Sequence, residues 1–180
     1  MQPNHRRVFY ALLLLVGLVW IFLSADRTNI STNGRIPAPQ TGFLAPNFTL
    51  NTPDGNSITL SHLRGKTVLV NIWATWCPPC RAEMPVIQMM YGKYKDQEFV
   101  VLGINATNQD NQLDIMPFVR EYGLTFPILL DETGDASRAY QLRSLPSSFF
   151  IGRDGVIKDV VIGGPMSEKL LRSRIEEILK

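Results

Sequence analysis

The only two cysteines of this 180-residue chain lie in one pentapeptide, Trp76-Cys77-Pro78-Pro79-Cys80. Two thiols separated by two residues can close a disulfide and reopen it without moving the rest of a fold. As a staple the bridge is weak: chain entropy credits so small a loop with only ~2 kcal/mol, against about 5 kcal/mol for a loop of about a hundred residues. Redox exchange is the better use of the pair. The competing use of a CxxC is half of a zinc site, which wants two more ligands; the chain offers only His5 and His62. Covalent haem attachment wants His directly after the second cysteine, where this chain has Arg81.

The neighbours of the thiols carry chemistry of their own. Pro78 and Pro79 have no N–H, so two donors that would stabilise a Cys77 thiolate are missing. A less stabilised thiolate makes a more reducing couple, although prolines also simply suit a first helical turn. Glu83 stands three residues past Cys80, on the same side of a helix. There it can take a proton from Cys80; a solvated helix glutamate would show the same spacing. Trp76, abutting Cys77, reads as contact surface, and Trp73 as core.

These residues need a strand before them and a helix after. Thr67 to Ala74 reads as a fully buried strand. Met84, Ile87, Met90, Tyr91 and Tyr94 then recur at helical spacing, with Met84, Met89 and Met90 assigned to the core and His62 to the surface. Upstream, Asn47 to Asn51 alternates, Pro53-Asp54-Gly55 turns, and Ser57 to Leu60 returns as a hairpin partner. Ser61 to Gly65 reads as one helical turn. Downstream come a strand over Phe99–Asn105, a helix over Ile115–Tyr122, a strand over Phe126–Leu130 and a helical segment over Asp135–Tyr140. Ser148–Ile151 and Val156–Ile162 form a hairpin about Asp154-Gly155. The last helix is capped by Ser167 and carries the stripe Leu170, Leu171, Ile175, Ile178 and Leu179. This order predicts an α/β sandwich with a mixed sheet.

The N-terminus reads differently. Val8 to Ala25 is an uncharged apolar run behind His5-Arg6-Arg7, and its eighteen residues would span ~27 Å as a helix, close to the hydrocarbon thickness. A cleaved signal peptide is the alternative, but Leu23-Ser24-Ala25 puts a large residue where such a cleavage site wants a small one. The expected organisation is a cytoplasmic tip and membrane anchor over 1–25, a flexible tether over 26–41 and a folded domain over 42–180. Arg6 and Arg7 place the N-terminus in the cytoplasm and the domain outside. They also account for the net charge of +2. From Asp26 onward the charges balance, so the basic field required for nucleic-acid binding is lacking.

A strand ending in WCxxC at a helix start resembles the thioredoxin fold. Pro85, five residues past Cys80, matches the family's helix-kinking proline. Pro146, ahead of a strand, matches its cis proline facing the cysteines. Within the superfamily the chain is most similar to the membrane-anchored TlpA/ResA type. The carrying segments are the N-terminal anchor, Ala45-Pro-Asn-Phe-Thr-Leu50, Asn71-Ile-Trp-Ala-Thr-Trp-Cys77, Arg81-Ala-Glu-Met-Pro85 and the stretch between Asn105 and Tyr122. The resemblance implies a thioredoxin-like fold with an N-terminal β-hairpin extension behind one transmembrane helix. It implies Cys77 as the attacking thiol, favoured by its helix N-terminus, Cys80 as the more buried resolving thiol, and Glu83 as the family's glutamate. Many thioredoxins carry a buried Asp where this chain has Asn71, which cannot titrate. Trp76, Pro78, Pro79, Leu145 and Pro146 are then the client-binding residues, with backbone near Leu145 free to pair with an extended substrate.

No cofactor is implied beyond the Cys77–Cys80 pair. The implied activity is reduction of disulfides in client proteins such as apocytochrome c, with electrons from a membrane thiol donor of the CcdA/DsbD kind. A disulfide-forming oxidase is the alternative. A peroxidase is disfavoured by Ala74, where peroxiredoxins have Thr. A copper chaperone of related fold would want a histidine in the C-terminal half, and there is none.

Overall fold

The computed structural model describes residues 36–180 together with Tyr10 and Leu13. Apart from those two residues, the anchor expected over Val8–Ala25, and the tether as far as residue 35, lie outside the described residues. Among the described residues no helix is long and apolar enough to cross a membrane.

The strands are β1 (Thr49–Asn51), β2 (Ser57–Thr59), β3 (Thr67–Trp73), β4 (Phe99–Asn105), β5 (Ile128–Leu130), β6 (Ser147–Ile151) and β7 (Ile157–Ile162). The helices are α1 (Pro78–Tyr94), α2 (Gln112–Glu121), α3 (Asp135–Ala139) and α4 (Glu168–Leu179). The sheet runs β2-β1-β5-β4-β3-β6-β7. β3 lies inside it, parallel to β4 and antiparallel to β6. A parallel β3–β4 pair needs a crossover, which α1 supplies. The near-continuous apolar runs of both strands fit burial on two faces.

Strand periodicity divides the core. Leu69 and Trp73 of β3 and Phe150 of β6 pack with Met84 and Ile87 of α1, Phe118 of α2 and Leu171 and Ile175 of α4. Val68, Val70 and Ile72, with Phe149 and Ile151, face the other way, onto Ala136 of α3, Tyr140, and Ala45, Phe48 and Leu60 of the N-terminal extension. The same alternation puts Asn71 and Ser148, which are register partners, on the α1 side.

Several boundaries differ from those expected. α2 begins three residues earlier than Ile115 because the Asn111 side chain accepts the Leu113 N–H and caps it. β5 begins at Ile128, after Pro127, which has no N–H to give a ladder. Met89, expected in the core, is 46% exposed. It falls off the Met84–Ile87–Met90–Tyr94 face, five residues from Met84 and hence about 140° around the helix. Residues 36–41, placed by composition in the tether, are bonded to the domain: Pro37 bridges Leu44, and Ala38 N–H reaches Leu44 O at 3.0 Å. Next to them, Gly42 N–H donates to Ile157 O at 2.8 Å.

Candidate active site

β3 delivers Ala74-Thr75-Trp76 to the carboxyl end of the sheet, and α1 starts at once. Cys77 is the N-cap of α1, with φ −87° and ψ 108°. Pro78 and Pro79 fill the first two helical positions, so the first N–H of the helix belongs to Cys80. It donates to Cys77 Sγ at 3.2 Å. Arg81 N–H takes Cys77 O at 3.1 Å, the first backbone bond of the helix. Cys77 and Cys80 are joined by a disulfide, S–S 2.09 Å.

The loop holding Cys77 is anchored from the side. Asp110 Oδ2 accepts the Thr75 N–H at 2.7 Å and the Asn105 amide at 2.7 Å; Oδ1 accepts the Thr75 hydroxyl at 2.5 Å and the Asn111 N–H at 2.9 Å. Next to it the Trp76 indole donates to Gln109 O at 2.9 Å, while the ring stays 57% exposed beside the cysteines. Arg81 closes the third side. Its guanidinium donates to Thr75 O at 3.3 Å, pairs with Glu121, and lies 5.4 Å from the ring centres of Phe118 and Tyr122. Those rings stack in turn, and Phe118 stacks on the buried Trp73.

Pro146 follows a cis bond from Leu145. The β3–β6 register, Ile72 opposite Ser147, brings Pro146 to the same end of the sheet as Cys77. Leu142 to Leu145 and Gln109 then line one groove of about 300 Å³ with Trp76, Cys77, Pro78 and Pro79. The sequence-assigned client-binding residues other than Pro146 thus meet in one groove; Pro146, next in the chain after Leu145, is buried and does not line it. A second cis bond joins Gly164 to Pro165.

Glu83 is fully buried one helical turn below Cys80. Its Oε1 accepts the Asn71 amide at 2.8 Å, and its Oε2 accepts the Met166 N–H at 3.1 Å. Asn71 also donates to Ser148 Oγ at 2.9 Å, and its own Oδ1 is buried without a partner among the described residues. Burial pushes the Glu83 carboxyl above the ordinary glutamate range, against the Met166 and Asn71 donors that hold it down. Gly164 separates this carboxylate from the cis proline. A Cβ there would lie 2.7 Å from Pro146 Cγ and 2.9 Å from Glu83 Oε2.

A profile of the AhpC/TSA family matches residues 41–160. The thiol-disulfide oxidoreductase ResA of Halalkalibacterium halodurans is 40% identical over 137 residues, covering 76% of each chain. The chain belongs to the AhpC/TSA family, among ResA-like thiol–disulfide oxidoreductases. The ResA of Geobacillus kaustophilus is 35% identical over 172 residues, 96% of each chain. Among solved structures, StoA from Bacillus subtilis superposes with a TM-score of 0.64 at 30% identity, covering 72% of this chain and 96% of that one. A thioredoxin-family thiol:disulfide interchange protein from Chlorobium tepidum gives 0.69 at 27%, covering 76% and 96%. The fold is thioredoxin-like, and the disulfide at the start of α1 is the CxxC of a ResA-like oxidoreductase.

Three residues around this ResA-like site escaped sequence reasoning. Asp110 sits 35 residues from the Thr75 that it holds, inside a polar run with no spacing signal. Ser148 joins Asn71 only through the β3–β6 register. Gly164 offered a Gly-Pro signal, readable as a turn but not as a contact with Pro146.

Proposed function

We propose that this oxidoreductase works as a reductant of client disulfides outside the cytoplasm, held at the membrane by its N-terminal segment. The supporting observation is the reactive sulfur itself: Cys77 caps a helix, keeps one N–H donor rather than three, and lines the groove beside Leu145. In the reduced protein the Cys77 thiolate attacks a client disulfide, forming a mixed disulfide and releasing one client thiolate. Cys80 loses its proton to Glu83 and attacks Cys77 Sγ, so the client leaves with both thiols and the Cys77–Cys80 bond re-forms. Two electrons pass to the client, and a membrane thiol donor of the CcdA/DsbD kind returns them. The cysteines carry the redox change without a further cofactor. Apocytochrome c, whose thiols must be free for haem attachment, is the client class we assign.

The test is trapping in intact cells. Cys80→Ser should accumulate Cys77 mixed disulfides with extracytoplasmic clients, apocytochrome c among them, whereas Cys77→Ser should accumulate none. Faster alkylation of Cys80 than Cys77 in the reduced native protein would reverse the roles. Loss of client disulfides, rather than their retention, in a deletion strain would make the protein an oxidase.

A further inference from the structure

Arg143 stands between two cavities. It lines the active-site groove, and it also lines a second hollow of about 360 Å³ formed with Gln40, Thr41, Gln141, Val160 and Ile162. Among the residues lining either hollow there is no carboxylate and no second cationic side chain. The guanidinium is exposed and, among the described residues, has no ion pair or hydrogen bond. The backbone beside it is equally open. Leu142 N–H ends the preceding turn on Ser137 O at 2.9 Å, and Pro146 O is taken by Gly163 N–H at 2.8 Å. Between them, among the described residues, the peptide groups of Arg143 and Leu145 are unpaired.

We infer that Arg143 is a specificity residue that selects clients carrying an acidic side chain close to the disulfide being reduced. An extended client segment can bond its backbone to the free peptide groups of Arg143 and Leu145, the Ser144 carbonyl being taken by the Ser147 hydroxyl at 2.7 Å. Leu145 borders Cys77 in the groove, and Arg143 precedes it by two residues. The chain bends over 144–146 but keeps Arg143 in the same groove as Cys77 and Leu145; two residues of an extended client lying along that groove span ~7 Å and return to the same face. A client side chain two positions from the attacked cysteine is therefore carried to Arg143, with the second hollow beyond. An Asp or Glu there meets a guanidinium with no competing carboxylate; a Lys or Arg meets like charge in a half-enclosed groove. The inference rests on the reductase reading given above.

The experiment uses the full-length reduced protein in detergent. The substrates are short synthetic peptides with one intramolecular disulfide, differing only in Asp, Asn or Lys two positions from the cysteine, on either side. Wild type should reduce the preferred Asp peptide with kcat/KM about tenfold above its Lys counterpart, and the ratio should shrink with salt. Arg143→Gln should bring the ratio close to one, and Arg143→Glu should invert it. Because each variant is judged by its own ratio, a general loss of activity does not mimic the result. A wild-type ratio near one, or one that persists in Arg143→Gln, overturns the assignment and leaves the reductase reading standing. Failure of wild type to reduce any peptide overturns both.

Discussion

The Glu83 carboxyl is lifted above the ordinary glutamate range by burial, and its two donors only partly offset that cost. A group whose folded-state pKa is raised adds stability that is fully present below the unfolded value, ~4.3 for glutamate. That stability is lost as pH rises through the folded-state value. Melts of wild type and Glu83→Gln should therefore converge in acid, and wild type should fall behind the variant as pH climbs towards neutrality. Parallel melting curves would show an unperturbed carboxyl. In disulfide reduction Glu83→Gln should be slower and should lose the pH dependence that a titrating proton acceptor confers. The cysteine couple is also set at this scale. With Pro78 and Pro79 in place of donors, glutathione titration should give a potential nearer roughly −270 mV than −120 mV. A value above about −150 mV would place the protein among oxidants. The sequence exposed these residues because they are neighbours: Cys77, Cys80 and Glu83 fall within seven consecutive positions. The bond from Asn71 to Ser148 was not legible because 77 residues separate them.

At the scale of elements, the site is a junction of chain ends. β3 ends, α1 begins, and the turn before α2 and the loop before β6 pass at the same edge, and polar contacts fix their spacing. Asp110→Ala would strip the partner from the Thr75 N–H and the buried Asn105 amide. Unpaired buried donors cost about 1–3 kcal/mol each, so chemical denaturation should show a loss of about 2 kcal/mol or more. Client reduction should slow as the Trp76–Cys77 loop loosens. Gly164→Ala tests the opposite fault. Gly to Ala commonly stabilises slightly where the backbone permits, but here the added methyl meets the rigid Pro146 ring. Overpacking of this kind costs about 1–3 kcal/mol; a melting temperature equal to wild type would show that the ring yields. Apolar patterning made the buried strands and α4 readable before the structure. Element ends were less legible, since a single side-chain cap such as Asn111, or a proline such as Pro127, moves a boundary by two or three residues.

For the whole molecule, the proposed anchor makes a direct statement about extraction. Full-length protein should stay with membranes through high-salt and carbonate washing, with the redox domain open to protease from outside. Soluble protein beginning near Asp26 would mean that the segment is cleaved. The two tryptophans that bracket the site carry a different consequence. Trp73 is sealed beneath it, Trp76 is exposed on its rim, and both sit within four residues of Cys77. An excited indole passes an electron readily to a nearby disulfide, which darkens its emission, whereas thiols do this far less. Two of the chain's three indoles are thus optical reporters of whether the sulfurs are joined. Emission should brighten on reduction, and should dim as each client disulfide is turned over. Trp76→Phe should remove the solvent-shifted red edge of that change and leave the blue component from Trp73. The electron traffic of this protein can be followed in real time by its own light, with no label attached.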